Sequence, residues 1–202
     1  MITIALPKGR LMEETIELFN SKGLNIEIPK NTRKLFFYDN DNKYRFLIVR
    51  AQDVATYVEH NAADLGIAGL DVLKEHKNDV FELMDLNIGY CKMVVAGNDK
   101  DCFGKKNGGV RVATKFVNIA KDHFLSKGIN AEVIKLYGSI ELAPILGIAD
   151  CIVDIVSTGR TLKENGLAVI EEIFESTAML IANKTSFYTN NTDIKNLIEA
   201  VG

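Results

Sequence analysis

The sequence predicts an α/β fold arranged as two domains. Short apolar segments of strand length alternate with segments of helical periodicity, the pattern typical of mainly parallel sheets covered by helices. After the second group of strands, the chain is expected to return to its first half. We therefore predict a first domain from residues 1–89 and 180–202, and a second from residues 90–179 inserted in it.

The elements of the first domain follow from periodicity and turn residues. Residues 2–6 form an apolar run that ends at Pro7, and the apolar positions of residues 11–22 recur near helical spacing before Gly23. The other strands expected here are 34–38, 44–50, 65–69 and 178–182, and the other helices are 52–60 and 192–201. Asp71 is placed to begin a further helix as its N-cap.

The second domain repeats the alternation. Its expected strands are 93–97, 110–114, 133–136 and 151–156, and its expected helices are 118–127 and 140–146.

Composition excludes several classes of protein. A formal net charge of −3 argues against a general nucleic-acid binder, so any phosphate ligand must meet a local cluster. No apolar run approaches the roughly 20 residues that span a bilayer, so we expect a cytoplasmic protein without membrane contact. Cys91, Cys102 and Cys151 lack metal-ligand spacing, and we expect reduced thiols.

A polar turn after the strand 151–156 carries the clearest chemical signal. Backbone N–H groups in such a turn, with the positive end of a following helix, can bind a phosphate. Hydroxyls of Ser157, Thr158 and Thr161 can add donors, and Gly159 lets the backbone approach closely. The alternative is that these residues only cap a helix.

Asp154 lies near the carboxyl end of the same apolar strand, where it can accept hydrogen bonds from sugar hydroxyls. An acid, two apolar residues, two hydroxyl residues, Gly, any residue and Thr is the arrangement of phosphoribosyl pyrophosphate loops. It resembles the type I phosphoribosyltransferase motif, but Val153 stands where those enzymes usually carry a second acid. This departure disfavours a nucleobase salvage enzyme.

Six ordered blocks resemble the ATP phosphoribosyltransferase family from the first strand to the last helix. They are Leu6-Pro-Lys-Gly-Arg-Leu11, Arg33-Lys-Leu35, Val49-Arg-Ala-Gln-Asp53, Ala63-Asp-Leu-Gly-Ile-Ala-Gly-Leu-Asp71, Tyr137-Gly-Ser-Ile-Glu-Leu-Ala-Pro144 and residues 154–166. The resemblance implies two α/β domains like those of type II periplasmic binding proteins, with the active site in the cleft between them.

The resemblance also implies the reaction. N1 of the ATP adenine attacks C1 of phosphoribosyl pyrophosphate, which gives N1-(5-phosphoribosyl)-ATP and pyrophosphate at the first step of histidine biosynthesis. The reaction needs Mg²⁺, which the substrate pyrophosphate carries, and Asp154 or Glu141 is a candidate direct ligand.

Residue roles follow from the matching blocks. Arg10 and Arg33 match catalytic arginines, which suit a departing pyrophosphate because arginine is permanently charged and makes paired hydrogen bonds to phosphate. The residues implied for phosphoribosyl pyrophosphate are Glu141, Asp154, Ser157, Thr158, Gly159, Arg160 and Thr161. Those implied for ATP are Lys8, Arg50, Gly69, Asp71 and Tyr137.

The chain stops after the helix expected to close the first domain, so it resembles the short form of the family, which lacks an extra regulatory domain. Short forms are similar in pairing with a regulatory subunit related to histidyl-tRNA synthetase in a hetero-oligomer, and the subunit alone is expected to be a homodimer. Two alternatives stay open: a nucleobase phosphoribosyltransferase, and a non-catalytic module that binds a small solute.

Overall fold

The chain divides into two units, one inserted in the other. A computed structural model describes residues 1–29, 34–98 and 109–202. Unit 1 comprises Met1–Gly89 and Thr177–Gly202, and unit 2 comprises Tyr90–Ser176. Residues 177–179, predicted for the second domain, thus lie in unit 1. They do so because the strand that begins at Ala178 pairs with a strand of that unit.

The predicted α/β class is confirmed by strands and helices that alternate along both units. The strands are β1 (Ile2–Pro7), β2 (Phe36–Tyr38), β3 (Tyr44–Val49), β4 (Leu65–Gly69), β5 (Phe81–Asp85), β6 (Cys91–Gly97), β7 (Val110–Thr114), β8 (Ala131–Lys135), β9 (Cys151–Val156), β10 (Ala168–Ser176) and β11 (Ala178–Ala182). The helices are α1 (Arg10–Ser21), α2 (Val54–Glu59), α3 (Leu70–His76), α4 (Val117–Ser126), α5 (Leu142–Ile145), α6 (Arg160–Glu164), α7 (Lys184–Thr189) and α8 (Asn191–Val201).

The described part of unit 1 holds a six-stranded sheet in the order β2-β3-β1-β4-β11-β5. β1 runs parallel to β3 and β4, while β11 is antiparallel to β4. Ile4 faces one hydrophobic core and Ala5 faces the other, because successive side chains of a strand point to opposite faces. Cover on both faces explains why β1 reads as a continuous apolar run.

Unit 2 holds, among its described residues, a five-stranded sheet in the order β10-β6-β9-β7-β8. β7 runs parallel to β8 and β9, and β6 is antiparallel to β9 and β10. Val153 packs in the core on one face, and Ile152 packs in the core on the other. Asp154 follows two residues after Ile152 and therefore lies on the same face as Ile152.

Unit 2 begins and ends on neighbouring strands. Cys91, at the start of β6, pairs with Ser176, at the end of β10. The flanking residues of unit 1 are also paired: the Ala178 N–H donates to the Ile88 carbonyl at 2.9 Å, and the Leu86 N–H donates to the Ala178 carbonyl at 2.9 Å. Each unit is therefore closed by hydrogen bonds at the point where the chain leaves it.

The sequence predicted Asp71 as the N-cap of α3, and this prediction is wrong. The helix begins at Leu70 with Gly69 in the cap position, so Asp71 lies in the first turn. Gly69 is still extended, and the helix begins two residues earlier than the prediction required. β5, β10 and α7 were not predicted.

Two further sequence predictions concern buried thiols and the membrane. Cys91 and Cys151 are buried reduced thiols, as expected, and Cys102 lies outside the described residues. None of the helices that the structure describes has both the length and the apolar composition that crossing a bilayer requires.

Candidate active site

The predicted phosphate turn lies at the carboxyl edge of the unit 2 sheet. β7, β8 and β9 are parallel, so their carboxyl ends meet at one edge, where ligands of open α/β sheets usually bind. Lys115 follows β7, Glu141 precedes α5 on the connection from β8, and Ser157 follows β9. The sheet thus brings together residues that are up to 42 positions apart in sequence.

A pocket of about 160 Å³ opens at this edge. Its floor includes the buried side chains of Val94, Ile152 and Leu162. All seven residues that the sequence predicted for phosphoribosyl pyrophosphate line it: Glu141, Asp154, Ser157, Thr158, Gly159, Arg160 and Thr161. The turn is therefore exposed to a cavity and is not packed into the interior.

The turn has the backbone shape that an anion-binding loop needs. Gly159 has φ 72° and ψ 3°, the left-handed conformation that residues with a side chain rarely adopt. α6 starts directly after it, and Leu162 fixes this helix to the core of unit 2. Ser157 and Thr158 are exposed residues, so this turn presents polar groups towards a ligand.

Asp154 is the most perturbed acid of the pocket. Burial raises the pKa of its carboxyl, and the charge of Glu141 raises it further. The Lys115 ammonium, 3.6 Å from Oδ1, lowers this pKa, as does the Ile155 N–H, which donates to Oδ1 at 2.9 Å. Burial is the largest of these effects, so the pKa of Asp154 is raised overall and its ionised form is disfavoured.

Lys115 is a residue of this site that the sequence analysis missed. Thr114 pairs with Val153 in the parallel register of β7 and β9, so the next residues, Lys115 and Asp154, are neighbours. The signal in the sequence was a lysine directly after a predicted strand. Recognising it required knowing which two strands are adjacent.

Arg160 lines the pocket but pairs within its own helix. Its Nε donates to the Glu164 Oε1 at 2.7 Å, with the two side chains 82% and 59% exposed. An exposed pair of this kind contributes little to stability, typically about 0.3–0.5 kcal/mol. The guanidinium can therefore exchange Glu164 for an anion at small cost.

The basic residues predicted in unit 1 also lie at a carboxyl edge. Lys8 and Arg10 follow β1, Arg50 follows β3, and Gly69 ends β4, and these three strands are neighbours. The Lys8 N–H donates to the Val49 carbonyl at 2.7 Å, which brings the first two loops together. Arg10 forms a partly exposed ion pair with Glu14, from Nε to Oε1 at 3.3 Å.

The remaining predicted site residues differ in their burial and in their location. Asp71 is buried, and a Cβ at Gly69 would lie 2.2 Å from its Oδ1, so a side chain at position 69 would force the Asp71 carboxyl to move. Tyr137 is 82% exposed in unit 2, with the Lys135 Nζ 5.3 Å from its ring centroid. Arg33 lies outside the described residues, and an active site between the two domains stays a prediction.

Carboxylate oxygens are the protein ligands that Mg²⁺ prefers, and the pocket offers those of Asp154 and Glu141. Over residues 1–29, 34–98 and 109–202, no group of three or more His, Cys, Asp and Glu side chains could hold a metal ion. These two acids fit a magnesium ion that takes its other ligands from substrate and water, as Mg²⁺ usually does with phosphate substrates.

Comparison with known proteins decides the family. The family model described as ATP phosphoribosyltransferase matches residues 50–202. The chain belongs to the ATP phosphoribosyltransferase family. The function predicted from the sequence is thereby confirmed, as is the resemblance on which that prediction rested.

Relatives extend the match to the whole chain. An ATP phosphoribosyltransferase of Caldanaerobacter subterraneus subsp. tengcongensis is 54% identical over 201 residues, which cover 98% of this chain and 94% of that protein. An ATP phosphoribosyltransferase of Leptospira biflexa is 50% identical and is matched over 100% of this chain and 99% of its own. The amino-terminal blocks therefore fall inside the region shared with family members.

Solved structures support the same family and its fold. A chain of the ATP phosphoribosyl transferase (HisG:HisZ) complex from Thermotoga maritima superposes with a TM-score of 0.83 at 35% identity, covering 100% of this chain and 96% of that one. The periplasmic VFT2 domain of Bordetella pertussis BvgS reaches 0.61 at 11% identity over 99% of this chain and 86% of that one. The second match shows the fold alone, which is the periplasmic-binding-protein type that the resemblance implied.

Proposed function

We propose that this chain transfers the phosphoribosyl group of phosphoribosyl pyrophosphate to N1 of ATP, and that the unit 2 pocket binds the phosphoribosyl group. The observation that carries this proposal is that the five loop residues 157–161 and the carboxylates of Glu141 and Asp154 line one pocket. Membership of the ATP phosphoribosyltransferase family names the reaction. The geometry of the pocket suggests which part of the substrate each of its residues binds.

The turn between β9 and α6 is suited to the 5′-phosphate. Its N–H groups and hydroxyls are donors, and Gly159 leaves room for an oxygen near the backbone. Asp154 and Glu141 line the same pocket and, when ionised, only accept hydrogen bonds, which matches ribose hydroxyl donors. Positive charge that develops on the ribose during displacement would also be stabilised by the two carboxylates.

The roles of Arg10 and Arg33 rest on the family motif. A departing pyrophosphate gains negative charge, and arginine stabilises such charge through paired hydrogen bonds. Arg10 is suited to this because its side chain is 59% exposed, so an anion can reach the guanidinium. Lys8 and Arg50 lie on the same sheet edge and are proposed to bind ATP phosphates.

Magnesium is proposed as the metal of the reaction. Asp154 or Glu141 would be its protein ligand, and the ion would neutralise part of the pyrophosphate charge.

The deciding experiment follows the ultraviolet absorbance of the adduct from ATP and phosphoribosyl pyrophosphate with Mg²⁺ and added pyrophosphatase. Asp154→Asn should raise KM for phosphoribosyl pyrophosphate about tenfold to a hundredfold, because a hydrogen bond to a charged group contributes about 1.5–3 kcal/mol. KM for ATP should change less than about twofold. Asp79→Asn, an exposed acid of unit 1, is the matched control and should change neither constant.

Three outcomes would contradict the proposal. Equal effects of Asp154→Asn on both substrates would remove the phosphoribosyl assignment of the pocket. Turnover with adenine or hypoxanthine in place of ATP would support a nucleobase enzyme. Tight solute binding with no turnover would support a binding module.

We also propose a hetero-oligomer with a regulatory subunit related to histidyl-tRNA synthetase. The support is the Thermotoga maritima structure, which is a HisG:HisZ complex. Size-exclusion chromatography of the chain with and without such a protein should show a larger complex, and histidine should inhibit only the complex. Inhibition of the isolated chain by histidine would contradict this proposal. The isolated chain should elute as a homodimer.

A further inference from the structure

One short pattern occurs at the carboxyl edge of both sheets. Residues 9–14 and 159–164 each read Gly-Arg, three further residues and Glu. In both segments the glycine has a positive φ, and the arginine is the first residue of a helix, α1 or α6. In both, the arginine Nε also pairs with the glutamate four positions later. The two arginines are therefore presented in the same way, and their glutamates can be compared directly.

Glu14 holds Arg10 from a second, distant contact. Its Oε1 lies 3.3 Å from the Arg10 Nε, and its Oε2 accepts the Gly89 N–H at 2.7 Å. The Glu14 side chain is 30% exposed, whereas Glu164, the corresponding partner of Arg160, is 59% exposed. A carboxylate accepts at both oxygens, so Glu14 can bind the arginine and the backbone donor together.

The backbone at Gly89 is fixed by packing. Gly89 has φ 68°, and a Cβ there would lie 2.7 Å from the Leu11 Cδ1. Leu11 and Ile88 pack against the main core of unit 1, and the Ile88 carbonyl accepts the Ala178 N–H at 2.9 Å. The N–H that binds Glu14 therefore belongs to backbone that the core of unit 1 holds in place.

The pair between Arg10 and Glu14 is poorly arranged for helix stability. A cation at the first residue of a helix lies at the positive end of the helix dipole. For the same reason, an i, i+4 pair stabilises a helix less when the cation comes first. The arrangement instead places Arg10 beside the turn that follows β1, with a carboxylate one turn behind it.

We propose that Glu14 is a positioning residue that orients the Arg10 guanidinium towards the departing pyrophosphate, by pairing with its Nε from an anchor on the Gly89 N–H. This inference rests on the proposed function and on the role proposed there for Arg10. The planar guanidinium carries further N–H donors on its terminal nitrogens, which suit an anion. A group that is restrained beforehand loses less freedom in the transition state, so Glu14 should contribute to kcat.

The first test is kinetic. Glu14→Gln keeps the size of the side chain and an oxygen that can accept the Gly89 N–H, and it removes the charge that pairs with Arg10. The value of kcat should fall about tenfold, less than for loss of Arg10 itself, because the guanidinium is still present. KM for each substrate should stay within about twofold. An unchanged or raised kcat would overturn the inference.

Glu13→Gln is the matched control. Glu13 is an exposed acid in the first turn of the same helix, so its replacement makes the same change of charge one residue away from Glu14. It should leave kcat and both KM values unchanged. An equal fall of kcat in the two variants would show a general effect of charge at this edge and would overturn the specific role of Glu14.

A double-mutant cycle separates positioning from a purely structural contact. If Glu14 acts through Arg10, then Glu14→Gln should lower kcat by less than about twofold in a chain that already carries Arg10→Ala. If Glu14 only braces the backbone at Gly89, the full loss should persist in that background. Additive losses would therefore overturn the inference.

The last test does not require catalysis. The ¹⁵N heteronuclear NOE of the arginine Nε–H groups reports side-chain motion on the ps–ns timescale, and the Arg10 signal is identified by its loss in Arg10→Ala. The NOE of Arg10 should exceed that of Arg160 in the wild type and fall towards it in Glu14→Gln. An unchanged Arg10 NOE in Glu14→Gln would overturn the restraint, and a lowered NOE with wild-type kcat would overturn its role in turnover.

The NOE also separates this inference from the function on which it rests. If the wild-type chain formed no adduct from ATP and phosphoribosyl pyrophosphate, the proposed function would fail. The NOE of Arg10 would still decide whether Glu14 restrains the guanidinium.

Discussion

The sheets of units 1 and 2 share an arrangement of strands and differ in the side chains at their carboxyl edges. In unit 1 the central strand β1 is flanked by parallel β3 and β4, and β11 lies antiparallel beyond β4. In unit 2 the central strand β7 is flanked by parallel β8 and β9, and β6 lies antiparallel beyond β9. The backbone therefore offers two similar carboxyl edges.

Those edges carry different chemistry. Lys8, Arg10 and Arg50 in unit 1 are exposed cations, whereas unit 2 sets two carboxylates and a hydroxyl-rich turn in a pocket. Loop residues, which are free to vary on a rigid scaffold, thus determine what each edge binds. Lys8 and Arg50 can reorganise around a ligand, while Asp154 is fixed by its neighbours before a ligand arrives.

The largest effect is expected from a substitution among the exposed cations of unit 1, Lys8, Arg10 and Arg50. Arg10→Ala should lower kcat about a hundredfold to a thousandfold with a much smaller change in KM, since it removes a contact made mainly in the transition state. Steady-state kinetics with both substrates measures this. Lys22→Ala, at the far end of α1, is the control and should leave kcat unchanged. An Arg10→Ala enzyme with wild-type turnover would show that the unit 1 edge does not act on the leaving group.

A smaller effect is expected from a substitution in the turn between β9 and α6 of unit 2. Gly159→Ala should raise KM for phosphoribosyl pyrophosphate several-fold, because alanine disfavours the φ of 72° and crowds the phosphate. It should also destabilise the fold by about 1–2 kcal/mol, the cost of a left-handed residue with a side chain.

Gly128→Ala separates these two effects. Gly128 has φ 67° and open space around its Cα, and it lies after α4 outside the pocket. Denaturant titration should show a similar loss of stability in both variants, with KM altered only in Gly159→Ala. Equal KM values in the two variants would mean that the turn does not approach the phosphate.

The smallest effect concerns stability against pH. The raised pKa of Asp154 means that the folded chain binds this proton more tightly than the unfolded chain, so ionisation in the pocket destabilises the fold. This destabilisation is fully present above the raised pKa and is relieved as pH falls through it towards the unfolded value of about 3.9.

Asp154→Asn should therefore be more stable than the wild type at pH 8, and the difference should shrink as the pH is lowered through the raised pKa. Denaturant unfolding at several pH values measures it, with Asp79→Asn as the exposed control. A variant less stable than the wild type at pH 8 would show that the ion pair with Lys115 outweighs burial.

Local patterns in the sequence predicted much of this molecule. The bounds of β7, β9 and β11 agree with the predicted strands, because buried parallel or central strands read as short apolar runs. The phosphate turn could be predicted because its donors are consecutive residues. Its contacts are local, and one segment of sequence contains them.

Non-local features could not be predicted in this way. β10 carries Ile170 before two acids and Ile173-Phe174 after them, which breaks the alternation of a strand. The structure shows register shifts between Val169 and Glu171 and between Glu172 and Phe174, which return the apolar residues to the core side. Lys115 was missed for a related reason, since its partner Asp154 is 39 residues away and only the sheet order makes them neighbours.

The two ends of unit 2 lie on paired strands, so this unit can be removed or replaced at a single junction. Since Cys91 lies opposite Ser176 and Ile88 is bonded to Ala178, cutting out unit 2 leaves two chain ends of unit 1 that a tight turn can join. Each unit is then a candidate for separate expression as a cassette. The same junction is a natural place to exchange unit 2 for the corresponding unit of a relative while unit 1 is retained.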